Sequence, residues 1–360
     1  HMGAWLVQHL WEHYQFNPDL DYLRRIYPLL KGSAEFGLDM LVEEPTNKWL
    51  VSSPSGSPEN GMALVNGRGL LHDGTPRPAN AVRNTLTQGV AMDNQLLRDI
   101  FTQTTYAATQ LGIDEDLRAE IAKALPRLPP HLIRDDGTLL EWIKPWKEFD
   151  PKHRHVSHLY AFYPSNQITR RGTPELAEAV RKSLVIRDDP AGWTGAWKIN
   201  LHARLGDAER CFEVIRHMQT SISKHPAPED SDRVPSMEGN QVQRHGDVVQ
   251  CPAAGVVEML LQSHAGEVEL LPALPKAWAQ GSVQGLRARG GYGVDLAWAQ
   301  GKLASATLRA SRDGNCRLRV AGEIVLRDQN QQPVSVRLIE PGLYEFTAKA
   351  GAVYAVARRL

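Results

Sequence analysis

The spacing of apolar residues changes once along this chain, near residue 270, and that change limits the possible folds more than any single motif does. Before it, apolar residues recur three and four apart, as on helices that bury one face. Ala4, Val7, Leu10, Trp11 and Tyr14 predict a helix that stops near Pro18. Tyr22 to Leu41 predicts a second, with Pro28 as a kink or restart. Leu96, Leu97, Ile100 and Phe101 open another that Gly112 should end, and a short one follows around Leu117–Leu125. Thr173-Pro174 is a hydroxyl cap followed by proline at the first helical position. Ala196–Leu205, Glu209–Met218 and Val256–Ser263 complete the expected helices.

Three long stretches separate these helices: Asn47–Ala91, Arg127–Ser157 and Ser223–Val249. Connections of that length are uncommon unless they carry function. Short helices with long loops describe a helical bundle or an α/α barrel whose loops line a cleft. No strand alternates with helix, which argues against a doubly wound sheet or a β/α barrel. After the rigid segment Leu271-Pro272-Ala273-Leu274-Pro275, period-two runs take over at Val294–Trp298, Cys316–Val320, Val334–Leu338 and Tyr354–Val356. The expected division is therefore a helical domain over 1–269 and a small all-β sandwich over 270–360.

Composition narrows the function classes. The 360 residues carry 41 Lys+Arg against 41 Asp+Glu, with 42% hydrophobic and 23% charged residues. That is ordinary globular composition, with no basic footprint for nucleic acid or an anionic membrane surface. No apolar window is long enough for a membrane span, and no leader-like stretch precedes the first helix. Cys211, Cys251 and Cys316 are far apart and read as reduced packing residues. Nine tryptophans suit either core packing or the apolar faces of sugar rings.

Four segments could carry chemistry. Ser53-Pro54-Ser55-Gly56-Ser57-Pro58-Glu59-Asn60-Gly61 fixes an irregular loop around one carboxylate, Glu59, either a general acid or a capping residue in a turn. His153-Arg154-His155-Val156-Ser157-His158 invites a zinc reading, but His155-x-x-His158 lacks the pattern of a catalytic zinc helix. The pair Arg154-His155 is better suited to the hydroxyl groups of a polar ligand, so no metal is expected. Trp193, Trp197 and Asn200 share near-helical spacing, as a core face or a sugar platform. The stretch from Ser236 to Asp247 brings Glu238 and Asp247 just ahead of the last expected helix.

Taken together, these segments resemble glycoside hydrolase family 95, the inverting α-L-fucosidases. The matching stretches are GAWLVQHLWEHY from Gly3, YPLLKGSAEF from Tyr27, SPSGSPENG from Ser53, MDNQLLRDIF from Met92 and HRHVSHLYAFYP from His153. AWKINLHARLGD from Ala196, EMLLQSH from Glu258 and LLPALPKAW from Leu270 follow in the family's order. The resemblance implies the later part of an (α/α)6 catalytic barrel followed by the family's C-terminal β domain. It also implies that Glu59 is the general acid, that Arg154 and His155 contact the sugar, and that Trp5 or Trp11 lines the pocket, with Asn60 and Trp197 as further binding candidates. Asp247, by register, or Glu238, by its Met237-Glu238-Gly239-Asn240 context, would stand where the family has its base. The implied reaction removes terminal α-L-fucose, with α-1,2 linkage expected, from an oligosaccharide or plant or host glycan by single displacement. The implied carboxyl separation is roughly 6.5–9.5 Å. No cofactor, nucleic acid or membrane partner is implied. An α-L-galactosidase or a binding module without catalysis are the alternatives.

Overall fold

A computed structural model of the chain describes residues 2–188, 192–223 and 247–359. It divides into two compact units, His1–Asp188 and Asp189–Leu360.

In the first unit, α1 (Met2–Phe16), α2 (Leu20–Asp39) and α3 (Ala91–Leu111) pack through one apolar core. On α2, Leu23, Ile26, Tyr27, Leu30, Ala34 and Gly37 form a single buried stripe at helical spacing. Asp19 caps this helix by accepting from the Asp21 amide, and Pro28 lies within it without ending it. Gly112 ends α3 with φ 67°, a left-handed conformation that glycine adopts without penalty. α4 (Glu115–Ala124) and α5 (Pro174–Ile186) follow, α5 starting on its proline as the sequence predicts.

The long segment between α2 and α3 contains short strands that the sequence reading leaves as loop. β1 (Leu41–Glu43) pairs with β2 (Leu50–Ser52), and β3 (Ser55–Gly56) with β7 (Leu86–Thr87). β4 (Met62–Val65) lies between β5 (Arg68–Gly69) and β6 (Val82–Asn84). None exceeds four residues, too short for a period-two signal. The segment between α4 and α5 is laid alongside them: Ala63 N–H donates to Lys147 O at 2.9 Å, and Phe149 N–H to Gly61 O at 2.8 Å. This pairing brings two loops distant in sequence against each other, and Glu59 lies where they meet.

In the second unit, α6 (Gly192–Leu205), α7 (Ala208–Ser223) and α8 (Asp247–Leu260) share a core that includes Ile199, Cys211, Val214 and Met259. The buried Arg204 on α6 meets Glu258 on α8 at 3.3 Å. The last helix differs from expectation: it opens at Asp247 rather than Val256 and closes at Leu260 rather than Ser263. Pro252 and Gly255 both lie inside α8. A Cβ on Gly255 would sit 2.4 Å from Ile199 Cγ2, so this glycine is what lets α6 and α8 approach.

Two five-stranded sheets then face each other across one core. The first runs β10 (Gly281–Ala288), β11 (Tyr292–Ala299), β12 (Lys302–Ala310), β17 (Val353–Arg358) and β14 (Ile324–Arg327). The second runs β15 (Arg337–Glu340), β16 (Leu343–Ala348), β13 (Gly314–Arg319), β9 (Val268–Leu270) and β8 (Leu261–Gln262). All pairings are antiparallel except that of β13 with β9. Leu296, Leu308 and Val356 from one sheet and Leu318, Phe346 and Val268 from the other fill the space between them. The run expected at Val334–Leu338 becomes strand only from Arg337, and the sheet already takes in residues from Leu261. Cys211 and Cys316 are buried free thiols; burial pushes the Cys316 thiol up to about 12. The side chain of Cys251 lies outside the described residues.

Candidate active site

Glu59 occupies an unusual backbone conformation for a glutamate. Its φ is 56°, in the left-handed region where a side chain costs energy unless its surroundings hold it. Three contacts do so from within the loop. Ser57 Oγ donates to Glu141 Oε1, Asn60 Nδ2 donates to Glu141 Oε2 at 2.9 Å, and Asn60 Oδ1 accepts from the Gly61 amide at 2.8 Å. Arg83 adds a fourth from β6, donating to the Glu59 carbonyl. The two residues flanking the Pro58-Glu59 pair are thus tied to one buried carboxylate, while the Glu59 side chain remains 59% exposed.

The Glu59 carboxylate meets the His153–His158 loop. Arg154 Nη2 donates to its Oε2 at 2.8 Å, and His155 Nε2 lies 3.4 Å from the same oxygen. Arg154 is half-exposed and His155 buried, so one side of the carboxylate is wet and the other faces protein. Burial first, then the Arg154 charge, lowers the His155 pKa; burial and Arg187 do the same for His153. Both rings are therefore held toward the neutral imidazole. Among the described residues, Glu59, His153 and His155 form a group whose potential metal-ligand atoms all lie within 4.8 Å of one another.

Beneath this surface lies a charged network that sequence reasoning missed. Arg187, at the C-terminal end of α5, donates to Glu141 Oε2, to Glu148 Oε2 at 2.7 Å and to the His155 carbonyl at 2.7 Å. Arg134 reaches the other oxygen of Glu148 at 3.1 Å. Burial pushes the Glu141 carboxyl up, but the charge of Arg187 outweighs it and brings the group down to about 2. His158, fully buried nearby, is held down to about 3, by burial first and then by Arg187, and so stays neutral. The signal for Glu141 was present in the sequence: Leu139-Leu140-Glu141-Trp142-Ile143 places one carboxylate in an otherwise apolar run. A charge in such a run is buried and needs a partner.

The remaining sequence candidates fall in different places. Asn60 is buried and turned inward, with both ends of its amide engaged in holding the loop. Trp5 packs on Tyr160 with ring centroids 5.4 Å apart. Trp11 packs against Tyr14 and Tyr106 among the helices α1 and α3. Trp197 belongs to α6 in the second unit. Asp247 is the first residue of α8, and its side chain lies outside the described residues, as does all of Glu238.

Comparison with known proteins agrees with the resemblance. The model of the glycosyl hydrolase family 95 catalytic domain matches residues 1–260, and that of the family's C-terminal domain matches 262–356. The chain is 35% identical over 309 residues to alpha-L-fucosidase 2 of Arabidopsis thaliana, covering 84% of this chain and 34% of that protein. It is 28% identical over 319 residues to a probable alpha-fucosidase A of Aspergillus niger, covering 82% and 37% respectively. The chain thus spans about a third of the length of the curated relatives it matches. Among solved structures, a putative kojibiose phosphorylase from human microbiome shares the fold with a TM-score of 0.55 at 8% identity, over 97% of this chain and 50% of that one. With both family models matched in order along nearly its whole length, the chain belongs to glycoside hydrolase family 95.

Proposed function

We propose that this chain carries the acid side of an α-L-fucosidase that removes terminal α-1,2-linked L-fucose from an oligosaccharide with inversion. The observation that carries the reading is the Glu59 carboxylate, held at a loop junction between Arg154 and His155 and backed by Glu141. The relatives named as fucosidases supply the sugar class.

In this reading Glu59, as the carboxylic acid, gives its proton to the glycosidic oxygen as the bond to the anomeric carbon breaks. A water attacks that carbon from the opposite face, assisted by Asp247 or Glu238, and the released sugar is β-L-fucose. Arg154 and the neutral His155 ring orient the sugar hydroxyls beside the acid. Arg83 and Glu141 act earlier, by fixing the loop so that the acid need not be reorganised during the reaction.

The test is an NMR time course with 2′-fucosyllactose, run with the wild-type chain and with Glu59→Gln. The expected outcome is β-L-fucose as the first anomer, with the rate falling by about 10²–10⁴-fold in the variant, the range typical of a lost general acid. First appearance of the α anomer, or undiminished cleavage by Glu59→Gln, would refute the assignment. Binding of the sugar without cleavage would instead make the chain a carbohydrate-binding module.

A further inference from the structure

We infer that Glu59, His153 and His155 form a zinc-binding site, and that Zn2+ bound there takes the Glu59 carboxylate out of action. The sequence reading expects no metal, because His155-x-x-His158 lacks a zinc pattern, and in the fold those two histidines have separate roles. His158 is fully buried beneath the loop, with its backbone carbonyl accepting from Gln95 Nε2 at 2.8 Å. His153 is the ring that joins His155, with centroids 4.8 Å apart.

Three features make this a site rather than a coincidence of residue types. First, one donor atom from each of the three residues lies within 4.8 Å of the others. Tetrahedral zinc with bonds of about 2.0–2.1 Å needs donors about 3.3 Å apart, so the farthest pair has to close by at most about 1.5 Å. Second, Asp150 Oδ2 lies 3.6 Å from His153 Nδ1, outside hydrogen-bond reach but on the side from which a carboxylate can orient a zinc-bound imidazole. Third, His153 Nε2 is buried and has no hydrogen-bond partner among the described residues, a polar atom whose desolvation a metal would offset.

The donor set selects the ion. Two imidazoles and one carboxylate, with a fourth position left for water, suit zinc; calcium and magnesium require oxygen cages. Arg154 is the competitor, since it holds Glu59 Oε2 at 2.8 Å. It is 49% exposed on its side chain, so it can release the carboxylate and turn to solvent. The inhibitory consequence rests on Glu59 being the general acid: a carboxylate bound to zinc has no proton to give. The binding itself does not rest on that reading.

Calorimetric titration of ZnCl2 into the chelator-treated chain separates the two. One binding event is expected, weakened by more than about tenfold in Glu59→Gln and in His153→Gln, since even an outer carboxylate is worth that much to a zinc site. Glu59→Gln keeps the comparison valid if the buried His153 variant fails to fold. MgCl2 in place of ZnCl2 should give no heat. No zinc binding, or the same affinity in wild type and Glu59→Gln, would overturn the site. If the wild type cleaves 2′-fucosyllactose, added ZnCl2 should abolish the activity and EDTA restore it. Zinc that binds at Glu59 without inhibiting would remove the inhibitory role and count against Glu59 as the acid.

Discussion

Glu59 and Glu141 are two carboxylates of one site with opposite energetic roles. The Glu59–Arg154 pair is exposed on both sides, and pairs of that kind contribute only about 0–1 kcal/mol to stability. Glu59→Gln should therefore unfold at nearly the wild-type urea midpoint. Glu141 and Arg187 are buried together, and removing one partner leaves a charge without compensation. Arg187→Met should lower unfolding free energy by about 3–5 kcal/mol in the same assay. The double variant Arg187→Met, Glu141→Gln should lose less than the two single losses added, because each single change strands the other group. The exposed residue was legible in the sequence because prolines, glycines and small polar residues frame it. The buried pair was not, since 46 positions separate its members and only folding reveals that they meet.

At the level of elements, the helices were legible because each must bury a stripe, and the stripe leaves its period in the sequence. The short strands β3 to β7 are too short to show a period, and β3 meets β7 only after the chain has passed through the β4–β5 hairpin and β6. The last helix turns on one residue. Gly255 lowers intrinsic helix propensity, yet it sits where α6 and α8 touch. Gly255→Ala would improve propensity by up to about 1 kcal/mol. Overpacking against Ile199 costs about 1–3 kcal/mol. A net loss of thermal stability is expected, and a rise in the melting temperature would contradict the close approach.

For the whole molecule, acidity is the condition to which the fold is most exposed. Burial holds His158 down to about 3, so the folded chain keeps it neutral while the unfolded chain protonates it below about 6.5. Glu141, held down to about 2, stays ionised in the fold while the unfolded chain protonates it below its ordinary value near 4.5. In both cases the unfolded state binds the proton first, so stability is lost as pH falls, beginning near 6.5 and continuing toward 2. Melting curves between pH 7 and 3 should show this decline, and His158→Gln should make it shallower between 6 and 4. An unchanged slope would remove His158 from the account. That a helical region precedes a β region was readable from the single change in period. The meeting of Glu59 with Arg154 across 95 positions was expected only through resemblance, since spacing alone offers no rule for it.

The grip of Arg187 on Glu141, Glu148 and the His155 carbonyl also bears on inheritance. Descendants of this chain can vary exposed loop residues away from the sugar site one at a time, because each such step is nearly neutral to stability. Glu141 and Arg187 cannot drift in that way: either first step passes through an unstable intermediate. Lineages should therefore carry both or replace both, and the ancestry of the site is recorded more faithfully in its hidden pair than in the loop that touches solvent.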